Sequence, residues 1–313
     1  MIAVIAPNVA GIRNVDWTTF KTTVDAVEAL SGYDLLSLLP DKIERAVESN
    51  TQPPFAKLDG PYASDEGSTV AMSAAASFDP NGTVASYAWN FGDGIASTGP
   101  SLSHTYAQDG DYTVRLIVTD NDGLADTTTS AVRVSNVAPT ILPFGGATLL
   151  PGETYRANGS FTDPGADLWS GTVNYGDGSD VGSLTLTDKT FSLSHAYGVA
   201  GTYTVTVGIS DDDATSTSTR TITVWTPVQG VQNASAIVVR LAGRLTAGNA
   251  NSLTAKLDAA KKQLEMGNTN AASGQLGAVL NELDAMVRSG RLAETDAAPV
   301  RSLVQRVLQS IGR

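Results

Sequence analysis

The sequence predicts a multidomain, mainly β chain: two tandem β-sandwiches, flanked by a small α+β fragment at the N-terminus and an α-helical bundle at the C-terminus. Three observations carry this. A strand of alternating aromatics runs into a Gly-Asp-Gly turn at Trp89-Asn90-Phe91-Gly92-Asp93-Gly94, and again, more weakly, at Val173-Asn174-Tyr175-Gly176-Asp177-Gly178. Around each copy the apolar residues recur with period two, the mark of a strand with one face buried. After Trp225 no aromatic residue follows, and the apolar period changes to that of a helix.

Residues 1–50 read as strand, loop, helix, loop, helix. Ile2, Val4 and Ala6 suit a buried strand that Pro7 ends. Val24, Val27 and Leu30 recur at helical spacing before Gly32, and Pro40 opens a second helix that carries Ile43 and Val47. The segment is short for a core of its own, so it is expected to be the end of a larger domain. Thr51-Gln52-Pro53-Pro54 starts a linker over residues 51–61, because consecutive prolines favour extended chain.

The first sandwich is expected over residues 62–135 and the second over 136–225. Asp79-Pro80 aligns with Asp163-Pro164 and Gly92-Asp93-Gly94 with Gly176-Asp177-Gly178, both at an offset of 84. His104 aligns with His195, Tyr112-Thr113-Val114 with Tyr203-Thr204-Val205, and Asp120 with Asp211, all at an offset of 91. The second copy thus gains seven residues between its turn and its histidine, which predicts a lengthened surface loop. Trp89 is the expected core plug of the first sandwich. Val173 stands in its place in the second, where Trp169 is the candidate to fill the space.

In residues 226–313, Ile237 and Leu241 mark one helix. Leu253, Leu257, Ala260 and Leu264 mark a second, stopped near Gly267-Asn268. Leu276, Val279, Leu283 and Met286 mark a third, stopped by Gly290, and Val300 to Ile311 a fourth. Short connections favour antiparallel neighbours in a small bundle.

Composition narrows the chemistry. The 313 residues carry a formal net charge of -12 and no cysteine, which excludes disulfides, thiolate catalysis and cysteine-bound zinc. The charge is uneven: residues 58–225 hold 19 acids and 5 bases, residues 226–313 hold 6 acids and 10 bases. An acidic middle disfavours nucleic-acid binding there. No apolar run approaches the roughly 20 residues that span a bilayer, and the start, with no basic region and an early proline, reads as a strand and not a leader. The acidic turns offer hard oxygen ligands that suit calcium, with Asp79, Asp120 and Asp122 the candidate metal residues and the run Asp211-Asp212-Asp213 supplying similar oxygens. No copy has the spacing and terminal Glu of an EF-hand, and Asp in turns commonly caps its own backbone. His104 and His195 each follow a serine with no acid at motif spacing, which predicts structural histidines.

Three resemblances add to this reading. Trp-x-Phe-Gly-Asp-Gly, weakened to Val-x-Tyr-Gly-Asp-Gly in the second copy, with Ser-His-x-Tyr and Gly-x-Tyr-x-Val in both, resembles the PKD domain. That resemblance implies immunoglobulin-like sandwiches, spacing or binding of extracellular protein or glycan, a secreted or cell-surface bacterial context, and calcium in some members. Ile2-Ala3-Val4-Ile5, Pro7-Asn8, Trp17, Val24-Asp25-Ala26-Val27-Glu28 and Leu39-Pro40-x-x-Ile43-Glu44 resemble the C-terminal end of the DNA/RNA non-specific endonucleases. That family implies a divalent metal such as magnesium, a nucleic-acid substrate and a catalytic His in the whole enzyme. Residues 1–57 contain no histidine, so no catalytic residue is expected in this chain, and the segment is expected to be an inactive remnant of a truncated chain or of one begun internally at Met1. Leu253-Thr254-Ala255-Lys256-Leu257, Gly267-Asn268, Gln275-Leu276 and Ser289-Gly290-Arg291-Leu292 resemble the FIMAH domain, a helical module of secreted bacterial proteins.

Overall fold

The computed structural model describes residues 52–241 and 243–312, so the endonuclease-like segment 1–50 lies outside the described residues. The chain divides into two compact units, the first reaching Val137 and taking in Pro164–Ala166, the second holding Ala138–Asp163 and Asp167 onward.

The first unit is a β-sandwich. Its larger sheet runs β1 (Tyr62–Asp65), β7 (Ala125–Ser135), β6 (Gly110–Asp120), β3 (Val84–Asn90), β4 (Ala96–Thr98), and β2 (Thr69–Ser73) pairs with β5 (Ser101–Thr105) in the smaller one. The period-two runs decide which faces are buried. Val114, Leu116 and Val118 of β6 and Val132 and Val134 of β7 turn inward to meet Val70 and Met72 of β2. Trp89 is 2% exposed, and its Nε1 donates to Gly99 O at 2.8 Å, so the plug is large, buried and satisfied.

The second unit joins a sandwich to the helical bundle. One sheet runs β12 (Gly182–Leu184), β11 (Ser170–Asn174), β15 (Gly201–Ser210), β16 (Thr215–Val224), β9 (Ala147–Leu149), the other β13 (Leu186–Thr187), β14 (Thr190–Ala196), β10 (Thr154–Thr162), β8 (Thr140–Ile141). Val173 is buried where the first copy has Trp89, and Trp169 packs edge-on to Phe161 at 5.8 Å. The inserted stretch is not the loop that the repeat offset suggested. Part of it is β13, an edge strand pairing with β14 through Leu186–Phe191 and Thr187–Thr190, with Asp188 at φ +52° in the turn between. Leu186 packs against the core, and that apolar contact holds the added residues as strand.

Only two residues separate β16 from α1 (Pro227–Arg240). Thr226 caps the helix with its hydroxyl on Gln229 N–H, Gln229 caps back onto Thr226 N–H, and Pro227 occupies the first turn, where its missing donor costs nothing. α2 (Ala247–Glu265), α3 (Thr269–Arg288) and α4 (Glu294–Ile311) follow, with Gly267 (φ +76°) and Gly290 (φ +70°) ending α2 and α3. Each helix packs on its sequence neighbours, and α1 on α4 closes the ring. The bundle core takes in Leu150 of the sandwich, fully buried among helical residues. Gly230 makes that approach feasible: a Cβ there would stand 2.6 Å from Val307 Cγ2 and 3.2 Å from Leu150 Cδ2. Arg306 of α4 grips the sandwich through a bidentate pair with Glu153, both contacts 2.7 Å, and donates to Thr148 O at 2.9 Å. The second sandwich and the bundle are thus locked by a shared apolar core and a charged clasp. Among the described residues, no helix is long and apolar enough to cross a membrane.

Candidate functional site

The Gly-Asp-Gly turn and the Ser-His-x-Tyr element meet in space in both copies. In the first, Asn90 Oδ1 accepts from Gly92 N–H at 2.9 Å and Asp93 Oδ1 from Ile95 N–H at 3.0 Å, two Asx turns that reverse the chain after β3. Gly92 sits at φ +87°, and a Cβ there would meet Thr113 O at 2.8 Å, so the position requires glycine. The turn aims Asp93 Oδ2 at His104 Nε2, 2.6 Å away. The imidazole lies flat on Phe91, centroids 3.9 Å apart, and edge-on to Tyr106 at 4.6 Å. Tyr106 donates to Phe91 O at 3.0 Å, closing the circuit.

The second copy repeats each contact. Asn174 caps Gly176, Asp177 Oδ1 accepts from Ser179 N–H, and Asp177 Oδ2 lies 2.7 Å from His195 Nε2. His195 stacks on Tyr175 at 4.1 Å, and Tyr197 donates to Tyr175 O at 2.9 Å. The acid partner that the sequence did not reveal is therefore the turn's own aspartate, 11 residues before the histidine in one copy and 18 in the other.

Chemically, this network is a clasp. His104 is 8% exposed and pressed between two rings, and the partner of each imidazole is the aspartate of its own turn. The Ser179 hydroxyl and then His195 hold the Asp177 carboxyl down to about 2. Burial, followed by the charge of Asp93, pushes the Tyr106 phenol up to about 12, and burial raises Tyr197 in the same way. These phenols stay protonated and serve as fixed donors.

The calcium candidates divide. Asp120 is 2% exposed; its Oδ1 accepts from Asp122 N–H at 2.8 Å and Leu124 N–H at 2.9 Å, while Oδ2 is buried without a hydrogen-bond partner. Asp79 Oδ1 accepts from Asn81 N–H at 3.2 Å, and its Oδ2, like Asn81 Oδ1, is also buried without one. A Cβ on Gly82 would stand 2.5 Å from Asp79 Oδ2 and 2.2 Å from Asn121 Oδ1, so these oxygens crowd the one residue with no side chain. Asp122 does not join them: it is exposed and accepts from Asn121 Nδ2 at 3.2 Å. Asn81, two residues from Asp79, was not among the sequence candidates. Two buried carboxylate oxygens without donors are costly unless a cation meets them, and the donor set is the hard oxygen that calcium prefers. Asp211 of the second sandwich repeats the turn of Asp120, with Oδ1 accepting from Asp213 N–H at 2.8 Å and from Ala214 N–H.

The fold and these motifs define a class, the immunoglobulin-like sandwich modules of multidomain proteins. The PKD domain model matches residues 51–134 and 136–226, more than half of the chain, and the chain belongs to the PKD-domain family. The FIMAH domain model matches residues 239–309. A microbial collagenase of Vibrio alginolyticus is 44% identical over 69 residues, 22% of this chain and 8% of that protein. Collagenase ColA of Bacillus cereus is 28% identical over 137 residues, 44% of this chain and 14% of that protein. The pre-pro-metalloprotease PrtV of Vibrio cholerae is 40% identical over 78 residues, 25% and 8% of the two chains. The chain thus spans only 8 to 14% of the length of these relatives. Among solved structures, the PKD1 domain of Vibrio anguillarum Epp is 37% identical, covering 27% of this chain and 95% of that one, with a TM-score of 0.25.

Proposed function

We propose that this chain is the non-catalytic attachment and spacer region of a secreted bacterial modular protein, with its sandwiches docking to extracellular protein or glycan. The observation that supports it most is the use of both histidines. Each is spent inside its sandwich, clasped to an aspartate and stacked on a ring, and the rest of the duplicated motif builds turns and core. The likeness to modules of collagenases and a metalloprotease supports the same reading, since such modules accompany an enzyme. The reading is tested by offering the purified chain to immobilised fibrillar protein and polysaccharide, and to plasmid DNA with magnesium. Retention on a polymer without cleavage of any substrate is expected; metal-dependent nicking that survives repurification would overturn it.

In this reading the first sandwich binds calcium through Asp79, Asn81 and Asp120, and the ion pins the Asp79–Gly82 loop to the end of β6. The parent enzyme is the finer part of the proposal. Residues 1–50 favour a DNA/RNA non-specific endonuclease, which would bring magnesium and a nucleic-acid substrate in the whole protein. An in-frame Asp-Arg-Gly-His upstream of Met1 would support that parent, and a protease or adhesin sequence there would rule it out.

A further inference from the structure

The end of the bundle remote from the second sandwich is basic. α1 leaves the sandwich at Trp225, so its C-terminus stands about 21 Å away, at 1.5 Å per residue over 14 residues. The ion pair between Arg244 and Asp296 brings the α1–α2 connection to the start of α4, and five residues join α3 to that same start. Arg240, Arg244, Arg288 and Arg291 therefore gather at one end, all exposed.

The carboxylates there are already engaged. Asp296 pairs with Arg244, while Asp284 and Glu294 both pair with Arg301. This leaves Arg240, Arg288 and Arg291 without an acidic partner among the described residues; Arg291 donates only to the Ser289 hydroxyl. The first turn of α2, whose positive dipole end opens at the same place, carries no acid either. Arginine at helix C-termini is ordinary dipole compensation, which covers Arg240 and Arg288. It does not cover Arg291, which lies between helices.

We propose that this end binds a linear anionic polysaccharide carrying sulfate or uronate groups. Guanidinium forks match such oxyanions in two-point contact. The acidic second sandwich does not forbid it, because about 21 Å along α1 exceeds two Debye lengths at physiological ionic strength, about 8 Å each. No aromatic residue follows Trp225, so the bundle has no stacking platform for single-stranded nucleic acid. The apolar face of α1, Val231, Ala234 and Val238, is spent in the core, and the exposed Val239 alone makes no face to lay on a membrane. The proposal extends the attachment reading above, but a chain that held a fibrous protein and ignored polyanions would sink it alone.

The test is retention of the full chain on immobilised heparin, read as the salt needed for elution and as affinity in solution. Wild type is expected to bind at low salt, with affinity falling steeply as salt rises. The triple variant Arg240→Ala/Arg288→Ala/Arg291→Ala is expected to bind about tenfold more weakly or worse, three exposed charge contacts being lost. Its melting temperature is expected to fall by no more than a few degrees, because none of the three is in the core and only the dipole compensation of Arg240 and Arg288 is lost. Lys261→Ala/Lys262→Ala, at the other end of α2, removes two charges of the same sign and is expected to leave binding unchanged. Equal losses in both variants, no retention of wild type, or equal affinity for a single-stranded oligonucleotide or phosphatidylserine vesicles would overturn the proposal.

Discussion

Leu150 belongs by sequence to the second sandwich and by packing to the helical bundle. It is fully buried among bundle residues, with Gly230 of α1 beside it. Leu150→Ala removes a buried side chain at a junction where helix and sheet each constrain the other, so the space cannot collapse freely. Substitutions of this kind cost about 2–5 kcal/mol. In a unit of this size each kcal/mol lowers the melting temperature by about 2–4 °C, so a drop of roughly 7–14 °C is expected for a mid-range loss. Calorimetry of the full chain is the assay. The second sandwich and the bundle are expected to unfold together, and the substitution to shift that shared transition while leaving the first sandwich where it was. A bundle transition that moves alone, or a loss below about 1 kcal/mol, would refute the shared core.

Three further outcomes follow from the same geometry. Glu153→Ala is expected to destabilise the second unit, since it strips Arg306 of its bidentate partner; unchanged melting would show the clasp to be idle. Gly92→Ala is expected to cost more than Gly94→Ala, because both sit at positive φ but only Gly92 would press a Cβ on backbone, and equal losses by denaturant melts would reject the steric argument. The Asp177 carboxyl is held at about 2, below its ordinary value of 3.8, so its contribution is full above about pH 4 and fades as pH falls toward 2. Asp177→Asn should flatten that part of the pH–melting curve, and an unchanged slope would contradict the cause assigned.

What was legible in the sequence is what short-range physics controls. Period two in β6 and β15 announced strands, and period 3.6 after Trp225 announced helices, because each pattern is local. Glycine at 92 and 176 announced turns for the same reason. The His–Asp clasp was hidden because its two halves are joined only by folding, and because β13 lengthens the interval in the second copy. That strand was itself misread as loop, since two residues carry too little pattern to show. The grip of Arg306 on Glu153 spans 153 residues and left no trace in either segment. Asn81 escaped notice because an amide becomes a candidate ligand only when burial strips its oxygen of donors.

The central claim is that the duplicated acid–histidine motif serves the fold. A double-mutant cycle on Asp93→Asn and His104→Gln, read by denaturant melts of the first sandwich, tests it most directly. Each single change is expected to destabilise, with a coupling of about 1 kcal/mol or more between them, while retention on any polymer the chain binds stays the same. Zero coupling, or stability kept while binding is lost, would contradict the claim and make the pair part of a site.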